Sequence, residues 1–554
     1  MKRILLIGGS DSSGGAGVEA DQKVVASHAC YAMTATAALT AQNTQGVYDI
    51  HETPSNFVEK QIEACVEDIG VDVLKTGMLA SAQTVSVVAN AIRKHKIATT
   101  VIDPVMVATS GAQLLPESAV NTLCSELLPV TTVLTPNIPE ANLMLKKAGK
   151  NAIDVQNIDG LKTLAAAVHA LGPKTVLLKG GHLPLSSDYT VAKAEDDKKI
   201  VCNVLFAGDA IDVIEFPYQK SEKTHGTGCS LASALACNLA LGHDLLHSVI
   251  AASRYVDAGI KSAVKLGRGS GPINHFHSLQ VLPFPPGGFV DYLLDRKDVQ
   301  PAWYDFTHHE FVEQMGAGTL DPSTFKYYMI QDYLYLIHFA RANALAGYKA
   351  KNMDDIAGAA TIVTHIRNET ELHINECKGF GLTVEMMEKY EESQACTAYT
   401  RYVLDIGQSE DWLALQISLL PCLLGYGMIA RRLKKLQDTH PPKTPNRYLT
   451  WINNYVAEDY TAAVKKGCEL IEKHAFKQSP YRVEELVKIF IHATKMETGF
   501  WEMASAPEPT KDLTREFETR NTHHSHIYWI LVLRSKIDAT PPRSTAACWY
   551  VRGL

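Results

Sequence analysis

His225-Gly226-Thr227-Gly228-Cys229-Ser230, running straight into Leu231-Ala232-Ser233-Ala234-Leu235-Ala236, decides how the first half of this chain is read. A glycine-rich turn opens into an apolar helix expected to reach about Gly242. The two glycines carry no Cβ, so backbone N–H groups there can approach a ligand closely. The first N–H groups of a helix lack internal partners and sit at its positive end, which suits a phosphate or a developing oxyanion. Cys229 falls in the first turn, where a thiol pKa is expected below the free value of about 8.5. The pattern points to an anion hole with a base beside it. A glycine-bracketed loop that merely caps a buried helix would look the same.

Working outward, 554 residues exceed what one hydrophobic core supports, so at least two domains are expected. A hydrophobic share of 46% with 20% charged residues describes a soluble globular protein. The net charge of −7 argues against bulk nucleic-acid binding. Eleven cysteines without a CxxC pair fit free thiols in a reducing compartment. Met1-Lys2-Arg3 followed by a short apolar run reads as a first strand, since the run is too short for a secretory leader. Trp412 to Ala430 is long enough to span a bilayer, but Gln416, Ser418, Pro421 and two glycines favour a buried bundle helix.

The first half alternates β-branched runs with helical patterns, the signature of an α/β fold with a largely parallel sheet. Ile4–Ile7, Val73–Thr76, Thr99–Asp103, Thr132–Thr135 and Thr175–Lys179 read as buried strands, and Tyr189 to Phe216 as an antiparallel edge. After the first strand, Gly15-x-Gly17-x-x-Ala20 matches a dinucleotide fingerprint. That fingerprint needs an acid about 20 residues further on, and Tyr31 to Thr40 contains none. A glycine loop shaping a small-molecule pocket remains. Asn137-x-x-Glu140 offers the hard oxygen donors that Mg²⁺ and its waters require, although Glu140 alone would also serve as an acid at a helix N-terminus. Lys179-Gly180-Gly181-His182 adds a cation and flexible backbone beside a strand end.

These motifs occur together with Ser10-Asp11-Ser12-Ser13-Gly14-Gly15-Ala16-Gly17, Ala41-Gln42-Asn43-Thr44, Lys75-Thr76-Gly77-Met78-Leu79, Asp103-Pro104-Val105-Met106, Thr135-Pro136-Asn137-Ile138-Pro139-Glu140 and Gly271-Pro272-Ile273-Asn274-His275-Phe276-His277. In number and order they resemble ThiD-type hydroxymethylpyrimidine/phosphomethylpyrimidine kinases of the ribokinase-like superfamily, over residues 1 to about 278. Ser12 stands where that family often carries proline. The resemblance implies that Cys229 takes the place held by an aspartate base in other ribokinase-like kinases. It further implies that Gly226, Thr227 and Gly228 form the anion hole, that Gly9, Asp21, Gln42, Met78 and Val105 line the pyrimidine pocket, and that Asn137, Glu140 and Lys179 attend Mg-ATP. No direct metal ligand is assigned; Glu140 would act on Mg²⁺ through water.

Pro283, Pro285, Pro286, Gly287 and Gly288 make residues 279–302 the candidate linker. From Pro301 onward the periodicity becomes 3.6, so an all-α domain over 303–554 is expected. Phe325, Tyr328, Met329, Asp332, Tyr333, Leu336 and Phe339 trace an inward stripe, and a buried Asp332 needs a partner; Tyr335 stands three residues on. Cys422/Tyr426 and Glu497/Trp501 are i,i+4 pairs, and Tyr399/Tyr402 make a further pair. Bundles build sites from such groups between facing helices, though a cysteine or tyrosine on an apolar face is ordinarily packing.

With Phe325-Lys326-Tyr327-Tyr328, Gln331-Asp332-Tyr333-Leu334-Tyr335, Leu419-Leu420-Pro421-Cys422, Trp451-Ile452-Asn453-Asn454-Tyr455 and Glu497-Thr498-Gly499-Phe500-Trp501, this half resembles TenA-type aminopyrimidine hydrolases (thiaminase II). By that likeness Cys422 is the nucleophile that adds to the pyrimidine ring and Glu497 protonates a ring nitrogen. Asp332 holds the aminopyrimidine edge, Tyr399 and Tyr455 line the ring, and Tyr335 and Tyr426 support them. Asp332 and Glu497 should differ in proton affinity. His523-His524-Ser525-His526 lacks a carboxylate or thiol at fixed spacing and reads as surface.

The expectation is a cytoplasmic bifunctional enzyme of thiamine biosynthesis and salvage, like the fungal fusions of these modules. Its first half would phosphorylate hydroxymethylpyrimidine and its monophosphate with ATP and Mg²⁺, and its second would release that pyrimidine from thiamine or its breakdown products. Its partners would be small aminopyrimidines, with neither nucleic acid nor membrane, in a homo-oligomer, a tetramer. The alternative is a pyridoxal-type kinase joined to a non-catalytic pyrimidine-binding or oligomerising bundle.

Overall fold

A computed structural model of the chain describes residues 1–106, 115–181, 183–379, 382–440 and 444–505. His182 and the 523–526 histidine cluster lie outside the described residues. The chain divides into two compact units, Met1–Leu279 and Gln280–Leu554.

The first unit is built on nine strands: β1 (Arg3–Asp11), β2 (Tyr31–Asn43), β3 (Gly46–Glu52), β4 (Val73–Thr76), β5 (Thr100–Ile102), β6 (Val133–Leu134), β7 (Thr175–Lys179), β8 (Ile200–Ala207) and β9 (Ala210–Pro217). They form one sheet in the order β3-β2-β1-β4-β5-β6-β7-β8-β9. From β2 to β7 all neighbours are parallel, and β3, β8 and β9 add antiparallel edges. The alternation of side chains along a strand feeds two cores. Leu5, Ile7 and Leu74 enter one, while Ile4, Leu6 and Val73 enter the other, which the helix Thr227–Leu241 covers. Chain order reverses where β1 lies between β2 and β4, so a crevice opens beyond the C-terminal ends of β1 and β4, the usual ligand position of such sheets. A register shift in β1 between Gly8 and Gly9 falls at that same end and bends the strand where the site begins.

Val73–Thr76 and Thr175–Lys179 form as expected, and the Tyr189–Phe216 edge contains β8 and β9. The long strand β2 was absent from the sequence expectation. Its Ala- and Thr-rich run carries little hydrophobic contrast, yet it alternates between buried and open positions against β1.

The second unit is helical. Long helices at Pro322–Lys349, Gln394–Ser409, Trp412–Thr439 and Pro480–Ser505 surround a core rich in aromatic rings. The stretch expected as a linker is a built part of this unit. Phe284, Phe289, Leu293 and Val299 are buried in its core. The Glu472 carboxylate accepts from the N–H groups of Phe289 and Val290 at 2.9 and 2.8 Å, capping the helix Phe289–Asp295. Four apolar side chains among the prolines outweigh the Pro/Gly signal. The helix Trp412–Thr439 is apolar and long enough to cross a membrane, but 78% of its most apolar window is buried inside the protein. Its Gly425 allows Phe306 to lie against the backbone; a Cβ there would meet the ring at 2.0 Å.

Candidate active sites

In the first unit the crevice is closed by two glycine loops pressed together. Gly226 adopts φ +79°, and a Cβ on it would fall 1.9 Å from the Gly15 carbonyl oxygen, so no larger residue keeps this approach. Below them, Asp11 accepts from Ser13, Gly15 and Ala16 N–H groups at 2.8–3.2 Å. His225 Nε2 lies 2.8 Å from Asp11 Oδ2 and 3.3 Å from the Gln42 amide nitrogen. The Thr40 hydroxyl donates its single proton to the Ser10 carbonyl. The neighbouring Gln42 amide is therefore best satisfied with its NH₂ toward Thr40 and its oxygen toward His225. These contacts hold the Asp11 carboxyl well below the usual range, although burial acts the other way.

Met78 lies over Gly9, where a Cβ would meet the Met78 methyl carbon at 2.4 Å, and packs in a small apolar cluster with Val105. Gly9, Met78 and Val105 are thus brought together, while Gln42, at the end of β2, bonds through its backbone to the Ser12 hydroxyl just past Gly9. Asp21 is turned elsewhere: one oxygen accepts from buried Lys75 at 2.7 Å and the other from Ser233 at 2.8 Å.

Beside Gly228 stand Lys179 and Asp103. Lys179 Nζ is 2.6 Å from Asp103 Oδ1, and a Cβ at Gly228 would lie 3.2 Å from that ammonium and 3.8 Å from Asp103 Oδ2. Among the described residues Asp103 Oδ2, which is buried, has no hydrogen-bond partner. Asn137 and Glu140 form a reciprocal capping box at 2.8 and 2.9 Å, so the helix-start reading of Glu140 holds together with its place near the cations. Burial pushes the Glu140 carboxyl up to about 7, against the pull of Lys179.

Cys229 opens the helix Thr227–Leu241, and the Gly17 N–H donates to its sulfur. Two helix N-termini therefore meet at one thiol, because Gly17 starts the helix Gly17–Ser27. The expected low thiol pKa is not found. Burial pushes Cys229 up to about 11 and outweighs Lys75 and the Gly17 N–H. Sequence reasoning gave no role to Lys75 or Asp103. The available signal was a lysine inside an otherwise apolar strand, which must be paired to be buried.

In the second unit two helices, Gln394–Ser409 and Trp412–Thr439, aim side chains at one carboxylate carried on a third, Pro480–Ser505. Glu497 accepts from the Tyr399 hydroxyl at 2.8 Å and the Tyr426 hydroxyl at 3.2 Å, and the Cys422 thiol also bonds to it. Burial pushes Glu497 up to about 7, while these three donors act in the opposite direction. Cys422 follows Pro421 within the helix Trp412–Thr439. That proline has no N–H to donate to the helix ladder. Tyr426 sits one turn on and contacts the Tyr455 ring at 5.2 Å.

Tyr335 stacks on Tyr399 with ring centroids 4.9 Å apart, and its buried hydroxyl faces that of Tyr399. The expected Asp332–Tyr335 pairing gives way to Tyr328, whose hydroxyl donates to Asp332 at 3.3 Å. Tyr328 lies four residues back, on the same helical face. Phe306 and Trp451, which sequence reasoning left without a role, complete the aromatic wall against Tyr426. The buried Trp451 Nε1 lies toward the Tyr328 hydroxyl. The whole expected set of Asp332, Tyr335, Tyr399, Cys422, Tyr426, Tyr455 and Glu497 thus belongs to one polar centre within an aromatic core.

Comparison with known proteins gives a family model for phosphomethylpyrimidine kinase over residues 11–274. A model of the TENA/THI-4/PQQC family matches residues 296–506. A putative hydroxymethylpyrimidine/phosphomethylpyrimidine kinase of Schizosaccharomyces pombe is 43% identical over 499 residues, 90% of each chain. A hydroxymethylpyrimidine/phosphomethylpyrimidine kinase of Saccharomyces cerevisiae is 33% identical over 551 residues, 91% of this chain and 95% of that one. The crystal structure of a phosphomethylpyrimidine kinase from Clostridium difficile is 33% identical, covers 46% of this chain and 98% of its own, and has a TM-score of 0.39.

Proposed function

The chain belongs to the family in which a hydroxymethylpyrimidine/phosphomethylpyrimidine kinase is joined to a TENA/THI-4 domain, and from that premise we propose a bifunctional enzyme of thiamine metabolism that releases and phosphorylates one pyrimidine. The observation that carries this reading is that each unit gathers a single thiol with its own proton-handling neighbours: Cys229 with Gly17 and Lys75, and Cys422 with Glu497.

In the kinase half the pyrimidine lies against Gly9, Gln42, Met78 and Val105, with Asp21 acting from behind through Lys75. Cys229 takes the proton of the hydroxymethyl group, or of the monophosphate in the second reaction. The N–H groups of Gly226, Thr227 and Gly228 cradle the transferred phosphoryl group, and Lys179 neutralises charge on it. Asn137 and Glu140 organise the nucleotide side. The oxygen donors present fit Mg²⁺ arriving with ATP: Asp103 Oδ2 is buried with no partner among the described residues and Glu140 stands near it, so both would face the hydrated ion. When bound, Mg²⁺ supplies charge neutralisation on the phosphates. Comparing kcat/KM for hydroxymethylpyrimidine and for pyridoxal, with and without a chelator, tests the reading. We expect the pyrimidine alcohol to be favoured by at least ~10-fold and phosphorylation to stop on chelation. Preference for pyridoxal would replace it with the pyridoxal-type reading.

In the bundle Cys422 adds to the pyrimidine ring, the leaving group departs from the methylene carbon, water takes its place, and the thiol is eliminated. Glu497 gives its proton to a ring nitrogen, Asp332 holds the amino edge, and Tyr399 and Tyr455 line the ring, with Tyr335 and Tyr426 behind them. A carboxyl raised to about 7 is protonated below that pH and charged above it. Hydrolase kcat/KM should therefore fall as pH rises past about 7, and Glu497→Gln should abolish that limb; a profile flat from pH 6 to 8 in the parent enzyme removes Glu497 as the acid. The enzyme works as a homo-oligomer, a tetramer, in the cytoplasm, where its thiols stay reduced.

A further inference from the structure

We propose that Lys75 is a positioning residue for Cys229: its buried ammonium, paired with Asp21, whose other oxygen accepts from Ser233, offsets the negative charge the sulfur carries when it acts as the base, while Lys179 serves the phosphates. The inference rests on the reading of Cys229 as the base.

Strand alternation puts Lys75 on the face of Val73, opposite Leu74, and that face packs against the helix Thr227–Leu241. Ser233 lies one turn beyond Cys229 on the same face of that helix. It donates to Asp21 at 2.8 Å, and Lys75 donates to the other Asp21 oxygen at 2.7 Å. The ion pair therefore lies along the face from which Cys229 projects, and Lys75 is the largest attractive charge on the thiol. The titratable groups around that sulfur are Lys75, Lys179, Asp21 and Asp103, with Glu140 next to Lys179 and Asp103.

The two lysines divide the work by access. Lys179 retains 13% exposure, stands beside the Gly228 turn and is paired to Asp103, so an arriving phosphate meets it directly. Lys75 is 0% exposed and is engaged by Asp21. Incoming phosphate charge would push an already raised thiol further up, and Lys75 is the cation left to oppose this. In the step itself, the hydroxyl proton passes to Cys229 Sγ and the oxygen's electron pair bonds the γ-phosphorus. The bond from that phosphorus to the bridging oxygen breaks, and ADP leaves with its electron pair.

An ion pair that only ties β4 to its helices would behave differently, and the pH dependence of Cys229 alkylation separates the two. The full chain is treated with iodoacetamide and labelling is read by mass spectrometry on the Cys229 peptide, which is reachable because the residue is only partly buried. Lys75→Met should raise the alkylation midpoint by about one unit or more, and Asp21→Asn should lower it. Lys75→Met should also cut phosphorylation kcat ~10-fold at neutral pH, recovering as pH rises, with KM for the alcohol little changed. Midpoints that move in the same direction, or not at all, overturn the proposal. If Lys75→Met does not fold, the isosteric Asp21→Asn decides alone: a lower midpoint supports it, and an unchanged or higher one refutes it. Retention of full kinase activity by Cys229→Ala would instead refute the base assignment, whatever the alkylation result.

Discussion

Replacing Cys422 by serine lowers pyrimidine release from thiamine on the order of 10⁴-fold or more, the range seen when a nucleophile is removed, and leaves ATP-dependent phosphorylation unchanged. Serine keeps the size and the hydrogen bond to Glu497, so the bundle stays folded. What it loses is nucleophilicity: the groups that act on this position include Glu497, which burial keeps largely protonated below about 7, and tyrosines whose ionisation burial pushes well above the usual range, and neither kind activates a hydroxyl at neutral pH. Steady-state release of the free pyrimidine, followed by chromatography, is the measurement. A loss below about tenfold would mean that Cys422 packs the site without bonding to the substrate.

The second large effect belongs to Cys229→Ala, which lowers phosphorylation kcat by about 10²–10⁴-fold, the usual worth of a general base. The backbone cradle survives this change, because Gly226 and Gly228 are fixed by the close approach to Gly15 and by Lys179, and it supplies the residual rate. Since burial places the Cys229 thiol at about 11, thiolate is scarce at neutral pH in the free enzyme. Parent kcat should therefore climb with pH over the neutral range, and the alanine variant should lose that slope. A chain whose rate is insensitive to this cysteine would have to find its base elsewhere, with Asp103 Oδ2, buried and without a partner among the described residues, as the candidate.

Both predictions draw on positions that were legible in the sequence, for a physical reason. The groups proposed as catalytic carry local signals: the glycines around Cys229 at a helix start, the proline before Cys422 inside a helix, and the i,i+4 spacing of Cys422 and Tyr426. What escaped the sequence depends on partners distant in the chain. Lys75 and Asp21 are 54 residues apart, so neither announces the other; only the presence of a charge in an apolar strand hinted at a pair. Asp332 needed a partner, but the choice of Tyr328 over Tyr335 rests on side-chain direction within one helix, which spacing alone leaves open. The thiol of Cys229 was misjudged because a helix terminus is a local feature, whereas the burial that outweighs it is set by the packing of β4, the Gly17 helix and the Thr227 helix together. Likewise, the Pro/Gly run near 285 looked like a linker until Phe284 and Phe289 found a core to enter.

The central claim is that two separate thiols on one chain serve the same pyrimidine, and product analysis of the two single-cysteine variants given thiamine and Mg-ATP tests it most directly. The account predicts that Cys229→Ala accumulates unphosphorylated hydroxymethylpyrimidine, that Cys422→Ser forms no pyrimidine product unless hydroxymethylpyrimidine is added and then phosphorylates it, and that mixing the two variants restores the phosphorylated product. Phosphorylated pyrimidine made from thiamine by either variant alone would contradict it.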